Sequence, residues 1–218
     1  MILEGIVTTL SAGGQVNIAP MGPRLPWPVP ADGALSGFLL RPYHTSRTWA
    51  NLREHPEGVL HVTDDALLLA RAAIGVVDPL LPPPTFPSVV IRGQVLATAC
   101  RAYEFRVRSC DASSERTSIE AEVVYTHRLR EFFGFNRARH AVVEAAILAT
   151  RTAFLPLDEI DAEYRRLMVA VEKTGGPDEH RAMELLRQHL AEIRTARALL
   201  AVPAAQRPPD DAAGEGGT

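Results

Sequence analysis

Cysteine is scarce in this chain: Cys100 and Cys110 are the only two in 218 residues. That excludes a disulfide-built scaffold, and reduced, half-buried thiols are favoured over a single bridge between neighbouring strands. An excess of either charge is lacking as well. Lys plus Arg number 23 against 26 Asp plus Glu, a net charge of -3, and the arginines are scattered among acids. No basic field exists to hold nucleic acid or an anionic membrane. Nothing approaches the roughly 18 consecutive apolar residues of a membrane span. The start, Met1-Ile2-Leu3-Glu4-Gly5, carries no basic segment, apolar stretch or cleavage site of a secretory signal. A cytoplasmic location is the expectation.

The fingerprints of several chemistries are absent too. There is neither a P-loop nor a G-x-G-x-x-G turn. The seven histidines, at positions 44, 55, 61, 127, 140, 180 and 189, show no H-E-x-x-H spacing, and the cysteines form no C-x-x-C. No metal site is expected. No Gly-x-Ser-x-Gly elbow is present to support a hydrolase. Asp64-Asp65 has the look of a strand-end turn rather than a catalytic pair. Glu144 and Arg151 stand seven apart, roughly on one helix face. They suit a satisfied buried pair, or else a contribution to a ligand held across a dimer.

What is present is an ordinary globular composition, 46% hydrophobic and 22% charged, in a chain long enough to bury a core. The first part has strand character. Gly5 to Leu10 and Val16 to Met21 flank the turn signal Ser11-Ala12-Gly13-Gly14, an opening hairpin. Pro23 to Pro30 and Leu80 to Pro87 are proline-rich loops. Leu35 to Leu40, Val59 to Thr63 and Val89 to Ala97 are further strands. In Tyr103 to Ser109 and Ser118 to Thr126, apolar and polar residues alternate, one face buried and one wet, with Glu104 on the wet side. Short helices are expected over Ser46 to His55 and Ala66 to Val77. Strands joined by uneven loops point to a barrel rather than a helix-alternating sheet.

Beyond residue 135 the period changes to that of a helix. Arg139 to Phe154 is apolar around much of its circumference. Ile160, Tyr164, Leu167, Met168 and Val171 form one stripe, with Asp158 as N-cap and Gly175-Gly176 as the stop. Pro177 opens another helix, whose Met183, Leu186, Leu190 and Ile193 should face the previous one in an antiparallel hairpin. From Pro203 onward the composition supports no packing, and disorder is expected. The organisation is therefore residues 1–135, a helical extension over 136–202, and a tail over 203–218.

Two stretches could hold a ligand. Arg41-Pro42-Tyr43-His44-Thr45-Ser46-Arg47-Thr48-Trp49-Ala50-Asn51-Leu52 follows a strand and opens a helix. Unpaired first-turn N–H groups, the hydroxyls of Ser46 and Thr48, and the cations Arg41 and Arg47 together suit a phosphate. The plainer alternative is that Ser46 or Thr48 only caps the helix. In Asn17-Ile18-Ala19-Pro20-Met21-Gly22, Pro20 removes a donor and is expected to break pairing, leaving a flat backbone edge on which a planar ring could lie.

In order and spacing these segments resemble the FMN-binding split-barrel superfamily. The motifs are Ile6-Val7-Thr8-Thr9, Asn17 to Gly22, Ser46-x-Thr48-x-x-Asn51-Leu52 and His61-Val62-Thr63-Asp64. Gly134-Phe135-Asn136-Arg137-Ala138, Val143-Glu144-Ala145-Ala146-x-x-Ala149-Thr150-Arg151 and Lys173-Thr174-Gly175-Gly176 extend the match to an uncharacterised archaeal and bacterial family of that class. The resemblance spans about residues 3 to 176. It implies an α+β fold, a six-stranded antiparallel split β-barrel of Greek-key type with a C-terminal helical segment. It further implies a homodimer holding FMN near its interface. Ser46, Thr48 and Asn51 would then receive the phosphate, with Arg41 beside them. Asn17, Ala19, Pro20 and Met21 would line the isoalloxazine, and Thr63 and Asp64 would lie at the next strand end. The implied activity is flavin-dependent oxidoreduction of a small molecule, for which family context makes a pterin conceivable. A non-catalytic flavin carrier and a structural dimer module are the alternatives.

Overall fold

The computed structural model describes residues 1–26, 28–78 and 82–201. The tail expected to be disordered lies outside them, as does part of the Leu80–Pro87 loop. The chain runs β1 (Gly5–Leu10), β2 (Val16–Met21), β3 (Gly37–Leu40), α1 (Arg47–Glu54), β4 (Glu57–Val62) and α2 (Ala66–Ala73). It continues through β5 (Thr85–Pro87), β6 (Gln94–Leu96), β7 (Arg101–Asp111) and β8 (Ser118–Arg128), and ends in α3 (Arg137–Ala149), α4 (Leu157–Thr174) and α5 (Pro177–Ala201).

Six strands pair antiparallel in the order β2-β1-β4-β7-β8-β3. Chain leaving β2 then closes the sheet on itself. Leu3 N–H donates to Pro23 O at 3.1 Å, and Arg24 exchanges backbone hydrogen bonds with Leu39 at 2.8 and 2.9 Å. This closure is a bridge pair on each side rather than a ladder. The result is a barrel with a seam, an α+β split barrel carrying C-terminal helices.

β1 has no wet face, since all six of its residues are buried. Val7 points into the barrel with Phe38, Leu40, Leu60, Phe105 and Ile119, where Phe38 and Phe105 meet edge to face at 5.3 Å. Its neighbour Ile6 points outward into a second core with Leu69, Leu96, Val142, Ile160, Tyr164 and Leu186. Alanines 138, 141, 145, 146 and 149 are all buried along α3, so neighbouring helices approach it closely. Tyr164 uses that proximity to donate its hydroxyl to Ala145 O at 3.0 Å. Among the described residues no helix is long and apolar enough to cross a membrane.

Several local expectations are corrected. Of Val89–Ala97 only Gln94–Leu96 is a strand, and it pairs with Thr85–Pro87 from the supposed loop. The resulting hairpin covers the outer side of β7 and buries Glu104, which alternation had placed in water. α4 is preceded by Pro156 with no side-chain cap. Asp158 instead accepts from Arg194, near the far end of α5, at 2.8 Å, which holds α4 and α5 antiparallel. Glu144 is exposed, and among the described residues Glu144 and Arg151 form no ion pair. Cys100 and Cys110 are both free.

Because the second core joins β1 to α3, α4 and α5, the barrel and helices should fold as one unit. A chain ending at Asn136 would leave Ile6, Leu69 and Leu96 facing water, and it should be insoluble on expression. A soluble, folded monomer, seen by size exclusion and circular dichroism, would contradict the shared core.

Candidate functional site

At the Leu10 end of the first hairpin, three elements meet in a buried polar knot. Thr9 of β1 lies opposite Asn17 of β2 in the ladder. The Thr9 hydroxyl oxygen accepts from Asn51 Nδ2 at 2.9 Å and from Asn17 Nδ2 at 3.4 Å. Asn17 Nδ2 also donates to Thr48 Oγ1 at 3.2 Å. Thr9, Thr48 and Asn51 are 2%, 1% and 5% exposed. The sequence singles out Asn17, Thr48 and Asn51, and the structure brings those three together. Thr9 was missed, because a threonine in an apolar strand has only the ordinary signature of β propensity.

The turn ahead of α1 is built by Ser46. Its backbone N–H donates to Tyr43 O at 3.0 Å, and its side chain caps the helix by accepting from Trp49 N at 3.1 Å. The first turn of α1 contains no acidic residue, so nothing neutralises its partial positive charge. Arg47 occupies the first helical position, and Arg116 stacks its guanidinium 4.0 Å from the centre of the Tyr43 ring. Arg41 Nε is buried without a hydrogen-bond partner among the described residues. Such an atom is costly unless a ligand or water completes it. Donors, cations and an unpartnered guanidinium nitrogen are the groups a phosphate ester requires.

Asn17, Ala19, Pro20 and Met21 run along β2, which pairs on one side only. Pro20 does not interrupt the ladder: the register continues through Ile6↔Pro20 to Gly5↔Met21. An edge strand tolerates proline because alternate N–H groups face away from its partner. Met21 packs on the barrel cluster and Ile18 on the helical core, so Asn17, Ala19 and Met21 share the barrel-side face.

Thr63 and Asp64 lie beyond the Gly5 end of β1, opposite to Thr9, because β4 pairs through His61↔Ile6. Thr63 accepts from Asp65 N–H at 3.1 Å, and Asp65 caps α2 through Leu68 N at 2.8 Å. Asp64 receives Arg130 and, at 3.0 Å, Arg139. The Arg130 hydrogen bond, then the charges of Arg130 and Arg139, hold its carboxyl near 2 despite burial. Arg139 continues to Glu179 at 3.2 Å, which accepts from Gly176 N at 2.8 Å. This chain of charges binds the barrel to α3 and α5.

Two further buried ionisable groups escaped the sequence reading. Glu104 is 0% exposed and accepts from Val89, Val90 and Ile91 N–H at 2.6, 2.8 and 3.2 Å, and from His127 Nε2 at 2.7 Å. Burial pushes its carboxyl up, but these donors outweigh it and the net shift is downward. His61 places Nδ1 3.1 Å from Ile6 O, while its Nε2 accepts from Leu96 N at 3.0 Å. Since Nε2 is an acceptor, the ring is neutral with its proton on Nδ1. Burial lowers its pKa to about 4.

The fold is a split barrel extended by helices. Residues 3–130 match the N-terminal domain, and residues 136–188 the following domain, of the protein family of unknown function DUF447. The chain belongs to that family. It is similar to the FMN-bound DUF447 protein MM1853 from Methanosarcina mazei, at 21% identity and TM-score 0.71, over 86% of this chain and 94% of that one. More remote likenesses include the 2-nitrobenzoate 2-nitroreductase from Pseudomonas fluorescens (20% identity, TM-score 0.46, 57% of this chain and 64% of that one). Another is the styrene monooxygenase flavin reductase from Pseudomonas putida (13% identity, TM-score 0.49, 59% and 82%). A search of curated proteins finds no match.

The buried histidine makes stability depend on pH. Unfolding returns His61 to its ordinary value near 6.5 from about 4, so the unfolded chain binds a proton that the folded chain refuses. Stability is full above pH 6.5 and falls as pH drops through that window, by up to about 1.4 kcal/mol per pH unit. Asp64 adds a second loss between 3.8 and about 2. Urea midpoints should decline from pH 7.5 to pH 5; an unchanged midpoint would mean that His61 is protonated in the folded state.

Proposed function

We propose that this protein is a cytoplasmic FMN-binding flavoprotein that serves an oxidoreduction of a small molecule, for which a pterin is the first substrate class to test. The observation that carries the reading is the buried, unpartnered Nε of Arg41, just past the end of β3, ahead of a helix N-terminus with no acidic residue in its first turn. The likeness to an FMN-bound protein of the same family supports it.

In this reading Arg41, Ser46 and the first N–H groups of α1 hold the phosphate, and Thr48 and Asn51 fix the turn that presents them. The flavin ring lies along Asn17, Ala19, Pro20 and Met21, towards the end of the strand where Thr63 and Asp64 stand. A second copy of the chain covers the ring, making the working form a homodimer. When bound, the flavin itself supplies the hydride or electron chemistry. The protein's part is to orient the ring and shield it from water.

The absorbance spectrum of the purified protein tests the cofactor, and anaerobic bleaching by NADH or NADPH separates an enzyme from a passive carrier. The double change Arg41→Met, Ser46→Ala tests the phosphate seat. Each charge-assisted hydrogen bond is worth roughly 1.5–3 kcal/mol, so FMN should weaken by about a hundredfold or more. Riboflavin, which lacks the phosphate, should change by less than about threefold. Equal losses for both ligands would show that Ser46 only caps its helix.

A further inference from the structure

We propose that Thr9 determines the preference for a phosphorylated flavin without touching it, by setting the position of the phosphate turn relative to the ring-lining strand. This rests on the flavin reading above.

The hydroxyl oxygen of Thr9 is where α1 and β2 are joined through β1. Its two lone pairs are both used, one by Asn51 Nδ2 of α1 and one by Asn17 Nδ2 of β2. The second hydrogen of the Asn17 amide goes to Thr48 Oγ1, which closes the knot back onto α1. α1 has only eight residues, too few to hold a helix by its own hydrogen bonds. Its place is therefore set by what it rests on. Leu52 is buried in the barrel cluster and Trp49 packs against it, but such contacts are non-directional and allow a helix to slide. The polar knot is directional and fixes the register.

Thr48 and Asn51 spend their side chains on this knot and are almost wholly buried. A ligand in the turn would meet Arg41, Ser46 and backbone N–H groups instead. Loss of the Thr9 oxygen would leave amide hydrogens of Asn51 and Asn17 facing a methyl group. The turn would then shift or loosen relative to β2, while β2 itself, paired along its length with β1, would stay in place. A ligand anchored along the β2 backbone would be affected less than one that spans β2 and the turn.

The test compares the full-length parent, Thr9→Val and Thr9→Ser in titrations of the apoprotein with FMN and with riboflavin. Val keeps the shape and removes the oxygen; Ser keeps the oxygen. Thr9→Val should weaken FMN by about tenfold or more, because the buried Asn51 amide loses its acceptor and the half-buried Asn17 amide loses one of two, and should leave riboflavin within about threefold. Thr9→Ser should keep the parent ratio of the two affinities. If Thr9→Val is insoluble, Thr9→Ala is read on the same ratio. An unchanged ratio in the variant lacking the oxygen overturns the proposal, whether the affinities hold or fall together. A parent that binds no FMN overturns the flavin reading, and with it the role given to Thr9.

Discussion

A strand that is buried on both sides must satisfy every polar atom from within the protein, and β1 is such a strand. Val7 belongs to the barrel core and Ile6 to the helical core, so no side chain of β1 can turn to water. Its two threonines are therefore committed. Thr8 donates to Gln94 O at 2.6 Å, which pins the short β5–β6 hairpin to the barrel. Thr9 accepts from the two asparagine amides, which pins α1 and β2. Even a backbone carbonyl of β1 is drawn in, as Ile6 O receives the proton of His61. The position of the turn before α1 follows from the demands of a buried strand.

The same logic extends to the charged groups. Glu104 is a buried carboxylate made tolerable by three N–H groups and a histidine, and in return it shapes the turn at Val89 to Ile91. Asp64 sits between Arg130 and Arg139 and couples the end of the barrel to the helical segment. Buried ion pairs contribute little net stability in general, but removing one partner is severe because the other is left without compensation. Each of these groups joins segments that are apart in the chain.

Much of the barrel was legible from alternation and turn signals. Tyr103, Phe105 and Val107 face inward as their spacing suggests, and Gly175-Gly176 stops α4 where glycine would. The failures share a cause. Alternation describes one strand against one core, so it placed Glu104 in water, although the turn at Val89 to Ile91, 13 to 15 positions upstream, covers it. Pro20 was expected to break a ladder, which it does only in a central strand, and edge position is a property of topology. In the candidate site, the Ser46 turn was visible because hydroxyls, cations and a helix start occur together. Thr9 was not, since its partners are two asparagines eight and forty-two positions away.

The outer side of β1 also limits how two copies of this chain can be related. Symmetric pairs are built by apposing one surface patch with its own copy across a two-fold axis. The patch over Ile6 and Ile18 is already filled by α2, α3 and their neighbours from the same chain. No axis can pass there without expelling them. Any symmetric pair would therefore have to form across a different surface, because the helices of the same chain already occupy this one.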